Sequence, residues 1–553
     1  MHFSLDPAVL RTAAPPSIFN DVFGPVMIGP SSSHSAAAYR IGRLCRDLLG
    51  GRVTRLEARY NRGTALANTH RGQGTDRGLY GAILGWELTD PRMQGFDAEI
   101  EAALETAGIA LSVAYPDFGV THASFYHLTV GNDAEVHRVE AVSTGGGMFR
   151  ILRIDGAPVR IEGDYHELLV FCGDGAAGQL AQRLKGLAQA ESVTVSRGDA
   201  ATIVQVRSAR PYDDRTVREL AGAEGVHSVR LLAPVLPVLS RADLAVPFLS
   251  ASDMLGWNRE RNLALWELAV HYECARGGLS EAAVRAEMSR LVAIMRQSVD
   301  AGVVGTDYAD RLLTAQAPHA AAAMRTGTVP DDAVAKMILF TAAIMDVKSA
   351  MGVFVAAPTA GSCGTTPGAI LGFADAMGRS DAEIVEAMLA AGLIGVFIAA
   401  HATFSAELAG CMAETGASGA MAAAGLVHLM GGDLDQALTA AGSTINTGLG
   451  LICDPIADRV EAPCMEKNIA AAMRAYGAAI SSVMGFSPVI PFDESVQAMD
   501  AIGRAMPDSM CCTGGAGLCQ TRTGQRLLDA MRGRTPDDRH PGSLLIAGHE
   551  TGG

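Results

Sequence analysis

The chain has 553 residues, of which 49% are hydrophobic and 19% charged, a composition that is typical of packed globular proteins and excludes a disordered chain. Its net charge of −15 argues against a nucleic-acid partner, because phosphate binding requires a basic surface. The longest apolar run, residues 387–400, is shorter than the roughly 20 residues that cross a membrane, so we expect no membrane insertion.

Chain length and cysteine usage further restrict the class of protein. A chain of this length exceeds one core, so we expect several domains and a multidomain α+β fold. The ten cysteines are expected to serve metals or catalysis in a reducing cytoplasm. Residues 1–10 are mixed and acidic and do not have the pattern of a targeting sequence.

Residues 17–160 predict an N-terminal α+β domain that begins with an unusual polar segment. The segment 29–35 reads GPSSSHS and precedes an alanine-rich stretch. The Gly-Pro pair predicts a turn, and the serines are expected to cap a helix N-terminus, where free N–H groups and the helix dipole can hold a carboxylate or phosphate. Helix capping without any ligand is the alternative.

Two further glycine-rich loops follow, at residues 63–76 and 143–147, with His122 between them. Glycines at this density allow a backbone to approach a ligand closely. Each loop alone is weak evidence, and a single histidine such as His122 is more often structural than catalytic.

Residues 166–236 predict a separate small unit with the order βαββαβ, which is the ferredoxin-like arrangement. Its size and the glycine-rich turn after the first strand resemble an ACT regulatory domain, which implies an amino-acid effector site. A spacer or dimerisation unit without a ligand is the alternative. The predicted strands are 167–172, 192–196, 202–207 and 226–232, and the predicted helices are 178–190 and 214–223.

Residues 245–535 are rich in Ala, Met and Gly with helical periodicity, and they predict a C-terminal all-α domain with a buried site. So many small residues imply close contacts between helices. The predicted helices are 257–275, 281–301, 333–350, 381–401, 419–430, 435–441 and 468–478.

Three cysteines of this domain, Cys411, Cys453 and Cys464, each lie in a turn that contains Gly or Pro. Three thiolates on a four-iron cluster leave one iron with an open coordination position, and such an iron is a Lewis acid. Their spacing alone favours buried thiols without a metal, because no short Cys-x-x-Cys motif is present. The residues around them favour the metal site.

Those flanking residues, together with the loops of the first domain, resemble the iron–sulfur-dependent L-serine dehydratases over about residues 18–530. The resemblance is to the single-chain form with a β domain, an ACT-like domain and an α domain. Several separate motifs occur in the family order, which makes the resemblance specific. The matching segments are 29–34, 72–76, 357–361, 410–414, 453–455 and 463–468.

The resemblance implies a [4Fe-4S] cluster held by Cys411, Cys453 and Cys464, and an enzyme that deaminates L-serine to pyruvate and ammonia. In that chemistry an open iron assists the departure of the β-hydroxyl and a base removes the Cα proton. Cys363 is the main competitor as a ligand, and the roles of Cys511, Cys512 and Cys519 stay open. The resemblance also implies a homodimer. No loop of the sequence has the pattern of a pyridoxal-phosphate cup.

The sequence departs from the family pattern where a histidine is expected. The segment 72–76 reads GQGTD, and the side chain of Gln73 cannot accept a proton at neutral pH. We therefore assign the base to a histidine, with His122 preferred. The candidate catalytic residues are His34, His70 and His122, and the candidate substrate-binding residues are Ser31, Ser32, Ser33, Gly74, Thr75, Asp76, Thr359 and Gly361.

Two further departures, Met412 and Thr447, are expected to line the pocket with Gln73 and to weaken the case for serine. One alternative is the same chemistry on a different small β-hydroxy or β-substituted amino acid. A second alternative is an iron–sulfur sensor of amino acids that performs no turnover. The open iron and the anion-binding loops favour an enzyme.

Overall fold

The computed structural model describes residues 14–95, 97–119 and 122–532. The expectation for residues 1–10, and the last residues of the predicted range 245–535, lie outside the described residues. Within them the chain is a mixed α+β protein, with two sheets in the N-terminal half and a helical C-terminal half.

The N-terminal part is built on a six-stranded sheet with the order β3-β2-β4-β5-β6-β7, in which β2 and β3 are parallel and the other neighbours antiparallel. Residues along β5 begin by alternating between exposed and buried, as expected for a sheet with one covered face. The strands are β1 (Val26–Met27), β2 (Arg55–Tyr60), β3 (Ala110–Ala114), β4 (Phe125–Gly131), β5 (Val136–Gly145), β6 (Met148–Ile154) and β7 (Ala157–Ile161); the helices are α1 (Ala37–Leu48), α2 (Ala65–Thr69), α3 (Thr75–Leu84) and α4 (Asp97–Thr106).

The second unit has the predicted βαββαβ order, and its four antiparallel strands are arranged β11-β8-β10-β9. The predicted helix 178–190 is misplaced, because the helix begins at Asp174 and ends at Lys185. Residues 174–178 are therefore the first turn of that helix and not a free loop. The elements are β8 (His166–Cys172), α5 (Asp174–Lys185), β9 (Ser192–Arg197), β10 (Thr202–Ser208), α6 (Asp214–Ala221) and β11 (Val226–Leu232).

The C-terminal half packs its helices around one large apolar core. Serine and aspartate side chains begin several helices, for example Ser380, whose hydroxyl accepts the Glu383 N–H while the Glu383 side chain bonds back to Ser380. The helices are α7 (Ala251–Asn258), α8 (Leu265–Gly277), α9 (Glu281–Val304), α10 (Ala317–Arg325), α11 (Ala333–Ser349), α12 (Thr365–Ala376), α13 (Asp381–His401), α14 (Ala406–Cys411), α15 (Ala417–Leu429), α16 (Leu434–Asn446), α17 (Cys464–Val483), α18 (Phe492–Ala505) and α19 (Arg522–Arg532).

The helix predicted over residues 257–275 is in fact two helices, α7 and α8. The Asn258 side chain bonds to both the N–H and the C=O of Leu263, each at 2.9 Å, and so closes a loop between them. An asparagine that binds nearby backbone in this way competes with helix formation, which helical periodicity does not reveal.

The helical half is not all-α and is not formed by C-terminal residues alone. Strand β12 (Phe354–Val355) pairs antiparallel with β1 from the N-terminal part. Upstream of β1, the Glu273 carboxylate accepts the Ser17 hydroxyl at 2.5 Å and the Ile18 N–H at 2.8 Å. The N-terminal apolar residues then pack into the helical core, so the two halves share one core.

Helix α13 contains the long apolar run. It is the one helix of the described residues that is long and apolar enough to cross a membrane, but 78% of its most apolar window is buried inside the protein. A core helix gives the same pattern, so this helix is weak evidence for a membrane span.

Candidate active site

Four buried cysteines meet at one end of the helical half. Cys411 ends α14, Cys464 begins α17, and Cys453 and Cys512 lie in loops. The Cys453 thiol contacts those of Cys411 and Cys512. The segment carrying Cys512 is fixed by backbone bonds, because the Cys453 N–H donates to Met510 at 2.8 Å and the Cys512 N–H donates to Cys453 at 3.1 Å.

The approach of Cys411 to Cys453 depends on Gly410. This glycine has a positive φ of 64°, and a Cβ atom at its position would lie 2.6 Å from the Leu451 carbonyl oxygen. The N–H of Met412, two residues after Gly410, donates to the same carbonyl oxygen at 3.0 Å. A side chain at position 410 would thus push the two cysteine-bearing segments apart.

Burial shapes the acidity of these thiols. Contacts with Cys411 and Cys512, together with burial, raise the pKa of Cys453, and burial followed by the charge of Cys411 raises the pKa of Cys464. The ammonium of Lys467 lies 3.6 Å from the Cys411 sulfur and 2.6 Å from the Asp454 carboxylate. Among the described residues, these thiols are the side chains of the site best suited to ligate a metal.

Sequence reasoning selected Cys411, Cys453 and Cys464 but left Cys512 without a role. The signal was weak, since it was only a Cys-Cys pair near the end of the described chain. The competitor Cys363 is buried beside α11, where its thiol contacts the Met345 sulfur at 3.8 Å. Cys511 is buried next to Cys512, and its backbone pairs with that of Cys453. The other four cysteines lie elsewhere: Cys45 and Cys172 are in other cores, Cys274 is half-buried on α8, and Cys519 donates to the Ala516 carbonyl.

The serine segment does not cap a helix as predicted. Residues Ser32–Ala36 form a single wide turn ahead of α1, and Ser31 at its start makes no capping bond. The hydroxyls bond elsewhere: Ser31 and Ser33 contact the Nδ1 atom of His34 at 3.1 and 3.2 Å. Ser32 instead accepts the Ala360 N–H at 3.1 Å and so joins this segment to the helical half.

His34 is paired with a carboxylate that the sequence did not single out as functional. Its Nδ1 atom lies 3.3 Å from Glu407, which also accepts the hydroxyls of Ser33 and, at 2.7 Å, Ser405. Burial lowers the pKa of His34, although Glu407 opposes this. Burial alone would raise the pKa of Glu407, but His34 and the two serines outweigh it and lower that pKa. Burial thus favours the neutral imidazole of His34, and the hydrogen bonds from Ser33 and Ser405 favour the ionised carboxylate of Glu407.

The tautomer of His34 follows from its other nitrogen. The Nε2 atom lies 2.9 Å from the Thr69 hydroxyl, which itself donates to the Ala65 carbonyl at 2.7 Å. Because that hydroxyl has used its proton, it accepts from Nε2–H. The lone pair of the neutral ring is then on Nδ1, facing Ser31, Ser33 and Glu407.

A cavity of about 720 Å³ leads to this carboxylate. His122, Thr144 and Glu407 line it, as does Thr513, the residue after Cys512. Burial lowers the pKa of His122 to about 4, and its Nδ1 accepts the Ser124 N–H at 3.1 Å. His122 is thus a neutral side chain in the cavity wall, and its Nδ1 atom already accepts a hydrogen bond.

His70 is engaged on both ring nitrogens. Its Nδ1 lies 2.7 Å from Asp76 and its Nε2 lies 2.7 Å from the Tyr115 hydroxyl. Asp76 is buried and also accepts the Tyr60 hydroxyl. The structure therefore places the predicted substrate residue Asp76 against His70 and not against the cysteines.

Gly74 and Thr75 begin α3 beside the serine segment. A Cβ atom at Gly74 would lie 2.4 Å from the Ser35 hydroxyl, so this glycine allows α3 to approach. Thr75 is fully buried in the first turn. Both residues support the serine segment from behind.

Thr359 and Gly361 surround Glu414. The Thr359 hydroxyl donates to the Glu414 carboxylate at 2.7 Å, and a Cβ at Gly361 would lie 2.5 Å from that carboxylate. Burial raises the pKa of Glu414 to about 7. Glu414, held by this loop, is therefore a second carboxyl group near the cysteines.

Of the three sequence departures, Gln73 has a direct contact with a site thiol, since its amide donates to the Cys512 sulfur at 3.1 Å. The expectation that Thr447 lines the pocket is wrong, because it is exposed and its hydroxyl bonds to the Ser443 carbonyl. The Met412 side chain is buried and its sulfur accepts the Gly450 N–H.

The fold and the site define a mixed α+β protein in which buried thiols lie beside a histidine–carboxylate pair at the end of a cavity, an arrangement typical of enzymes. Comparison with known sequences gives the family. The profile described as serine dehydratase alpha chain matches residues 260–519, which is most of the helical half. The chain belongs to this family, and the inferred resemblance to the L-serine dehydratases is confirmed.

Individual relatives agree with the profile. The L-serine dehydratase alpha chain of Peptoniphilus asaccharolyticus is 31% identical over 280 residues, which cover 50% of this chain and 96% of that protein. The probable L-serine dehydratase alpha chain of Bacillus subtilis is 30% identical over 285 residues, covering 51% and 94%. The L-serine dehydratase TdcG of Escherichia coli is 31% identical over 282 residues, covering 49% and 61%.

Proposed function

We propose that this chain is an L-serine ammonia-lyase that converts L-serine to pyruvate and ammonia with a [4Fe-4S] cluster. The observation that carries the proposal is the group of buried thiols beside His34 and Glu407 in a chain of the serine dehydratase family. Neither feature alone would suffice, because buried thiols also occur as core residues.

The buried thiols are proposed as the ligands of the cluster. Among the described residues, no group of three or more His, Cys, Asp or Glu side chains converges to hold one metal ion. Cys411, Cys453, Cys464 and Cys512 instead form a buried set. The raised pKa values of Cys453, Cys464 and Cys512 favour the protonated thiols, so bound iron is needed to stabilise the thiolates. Cys411, Cys453 and Cys464 would hold the cluster, with Cys512 in reach of the same site. When bound, such a group supplies Lewis acidity to the departing β-hydroxyl.

His34 is proposed as the base, in place of the preferred His122. Its Nδ1 carries the lone pair and faces the site, so it can take the Cα proton. The Glu407 carboxylate, 3.3 Å away, then stabilises the imidazolium that forms. His122 has its Nδ1 engaged and a pKa of about 4, which makes it a weaker base.

The serine hydroxyls are proposed to orient the substrate. Ser31 and Ser33 can redirect their protons from His34 and Glu407 toward a carboxylate. Ser32 holds the loop of Thr359 and Gly361 in place through the Ala360 N–H. The enamine product tautomerises and hydrolyses without a further catalyst.

A second candidate is the same reaction on another small β-hydroxy or β-substituted amino acid. It is favoured by Gln73, whose amide bonds to Cys512 at the position where the family pattern has a histidine. The cavity of about 720 Å³ also exceeds what serine requires.

We further propose that the βαββαβ unit is an ACT-like regulatory domain of a cytoplasmic homodimer and binds an amino-acid effector. Asp174 at the start of α5 accepts the Thr202 hydroxyl and lies 3.7 Å from Arg197, which gives a polar, exposed group at one end of the sheet. An effector bound there should make the rate depend sigmoidally on substrate concentration. Deleting residues 166–236 should then abolish this sigmoidal dependence and leave the iron content unchanged. Calorimetry that shows the same ligand site after deletion would contradict the effector site.

The test of the main proposal is an anaerobic assay of reconstituted full-length protein against β-hydroxy and β-thiol amino acids. Pyruvate and ammonia formed from L-serine in equal amounts, lost in air and restored by ferrous iron with reductant, would support it. Turnover confined to another amino acid would select the second candidate. If the protein binds iron but turns over no amino acid of this panel, the result would favour an iron–sulfur sensor of amino acids.

A further inference from the structure

The ammonium group of Lys348 is buried without a partner. The side chain is 0% exposed near the C-terminal end of α11, and its Nζ atom makes no hydrogen bond with any described residue. No ion pair of the described residues includes it. Buried lysines are normally paired, since an isolated charge is costly to remove from water.

The surroundings of Lys348 point to the cysteine site. Helix α11 packs against α17, whose first residue is Cys464. The charge of Lys348 acts on Cys464, Glu414 and Cys363, and it favours the ionised form of each. The same charge acts on the buried carboxyl of Glu461. Both carboxyl groups are engaged elsewhere, because Glu414 accepts the Thr359 hydroxyl and Glu461 accepts the N–H groups of Leu312 and Leu313.

Lys467 has two kinds of partner that Lys348 lacks. Lys467 lies at the same cysteines, but it is matched by Asp454 at 2.6 Å and by the Ile452 carbonyl at 2.8 Å. In the part of the chain that the structure describes, Lys348 has neither an acid nor a carbonyl within hydrogen-bond distance. Its buried charge is therefore left without a direct partner from these residues.

We propose that Lys348 is the counter-charge of the anionic sulfur centre held at Cys464 and its neighbours, a positioning residue that retains this centre and does not touch the substrate. The inference rests on the proposed function. A four-iron cluster with three or four thiolates has a net negative charge, so an adjacent ammonium stabilises it electrostatically. Without the cluster, the same ammonium destabilises the fold, because its burial is uncompensated.

The two states therefore predict opposite effects of Lys348→Met. In the reconstituted protein, a chelator should remove iron about 10–100-fold faster than from wild type, as is usual when a group supporting metal ligands is lost. In the metal-free protein, the variant should unfold at the same or a higher temperature than wild type. Lys348→Gln, neutral but polar, should behave alike if the methionine variant fails to fold.

The matched control is Lys336→Met on the same helix, since Lys336 is paired with Asp375 at 2.8 Å near the surface. Its iron loss should equal that of wild type. Wild-type rates of iron loss in both Lys348 variants would overturn the inference, as would equal destabilisation of metal-free and loaded protein, which indicates a packing role. A raised KM with unchanged iron retention would also overturn it and assign Lys348 to the substrate. A wild-type chain that takes up no iron would overturn the proposed function as well.

Discussion

The Glu407 carboxylate lies 3.3 Å from the Nδ1 atom of His34, although one residue belongs to the helical half and the other to the N-terminal part. This pair joins the two halves at the end of the cavity. Because Nε2 is fixed by Thr69, the proton chemistry of the ring is confined to the nitrogen that faces Glu407.

Replacing His34 should therefore affect turnover more than replacing His122. His34→Ala is expected to lower kcat by about 10²–10⁴-fold, the usual contribution of a positioned base. His122→Ala should cost less, because its pKa of about 4 makes it a poor proton acceptor. Both variants should keep the iron–sulfur absorbance of wild type. A larger loss of kcat in His122→Ala would return the role of base to that histidine.

The cysteine ligands are tested by serine substitutions. Cys411→Ser, Cys453→Ser and Cys464→Ser should each remove the absorbance at roughly 400 nm and all activity, because a hard oxygen ligand holds this cluster poorly. Cys512→Ser should keep most of the iron, since three thiolates remain.

Suitable controls for these substitutions are Cys45 and Cys172, which lie in other cores, and Cys274 on α8. Their serine variants should retain wild-type iron content. Full iron content in a variant of Cys411, Cys453 or Cys464 would contradict that ligand assignment, and complete loss in Cys512→Ser would make Cys512 an obligatory ligand.

A buried carboxyl remote from the cysteines makes stability depend on pH. Burial raises the pKa of Glu273 from 4.5 to about 7 in the folded protein. The folded state then holds this proton more tightly than the unfolded state, so the contribution is complete below pH 4.5 and is lost as pH rises through 7. A shift of this size corresponds to about 3 kcal/mol.

Glu273→Gln should consequently be less stable than wild type at low pH and should recover relative to it by about 3 kcal/mol as pH rises past neutrality. Unfolding by urea at several pH values measures this difference. Glu281→Gln, on an exposed first turn, is the control and should show no such recovery. A pH-independent difference between Glu273→Gln and wild type would refute the assignment.

The sequence was most informative where a short motif has its own geometry. The strand Val226–Leu232 and the βαββαβ order followed from alternation and turn residues, and the cysteines selected from their turns do meet in space. Local pattern could not reveal the break at Asn258, which depends on a side chain bonding to backbone five residues away. It also placed the start of α5 four residues late.

The partners of the site were harder to predict because they are distant in sequence. Sequence reasoning gave Glu407 no role, yet it contacts Ser33 and His34. The serines had the composition of a helix cap, but tertiary contacts with His34 and Ala360 use their hydroxyls instead. Contacts of this kind depend on tertiary packing, which local sequence propensities do not predict.

The substrate question is addressed most directly at Gln73. Its amide lies 3.1 Å from the Cys512 sulfur, so a histidine at this position would place a titratable ring beside the thiols. If the glutamine adapts the site to another substrate, Gln73→His should raise kcat/KM for L-serine by about tenfold or more, a fraction of what a positioned base supplies. Turnover of the native substrate should fall in parallel.

Gln73→Asn, which keeps an amide but cannot titrate, is the control and should not gain serine activity. Kinetics with both substrates on anaerobically reconstituted protein decide the matter. If Gln73→His changes neither activity, the glutamine carries no information against serine, and L-serine dehydration is the better assignment.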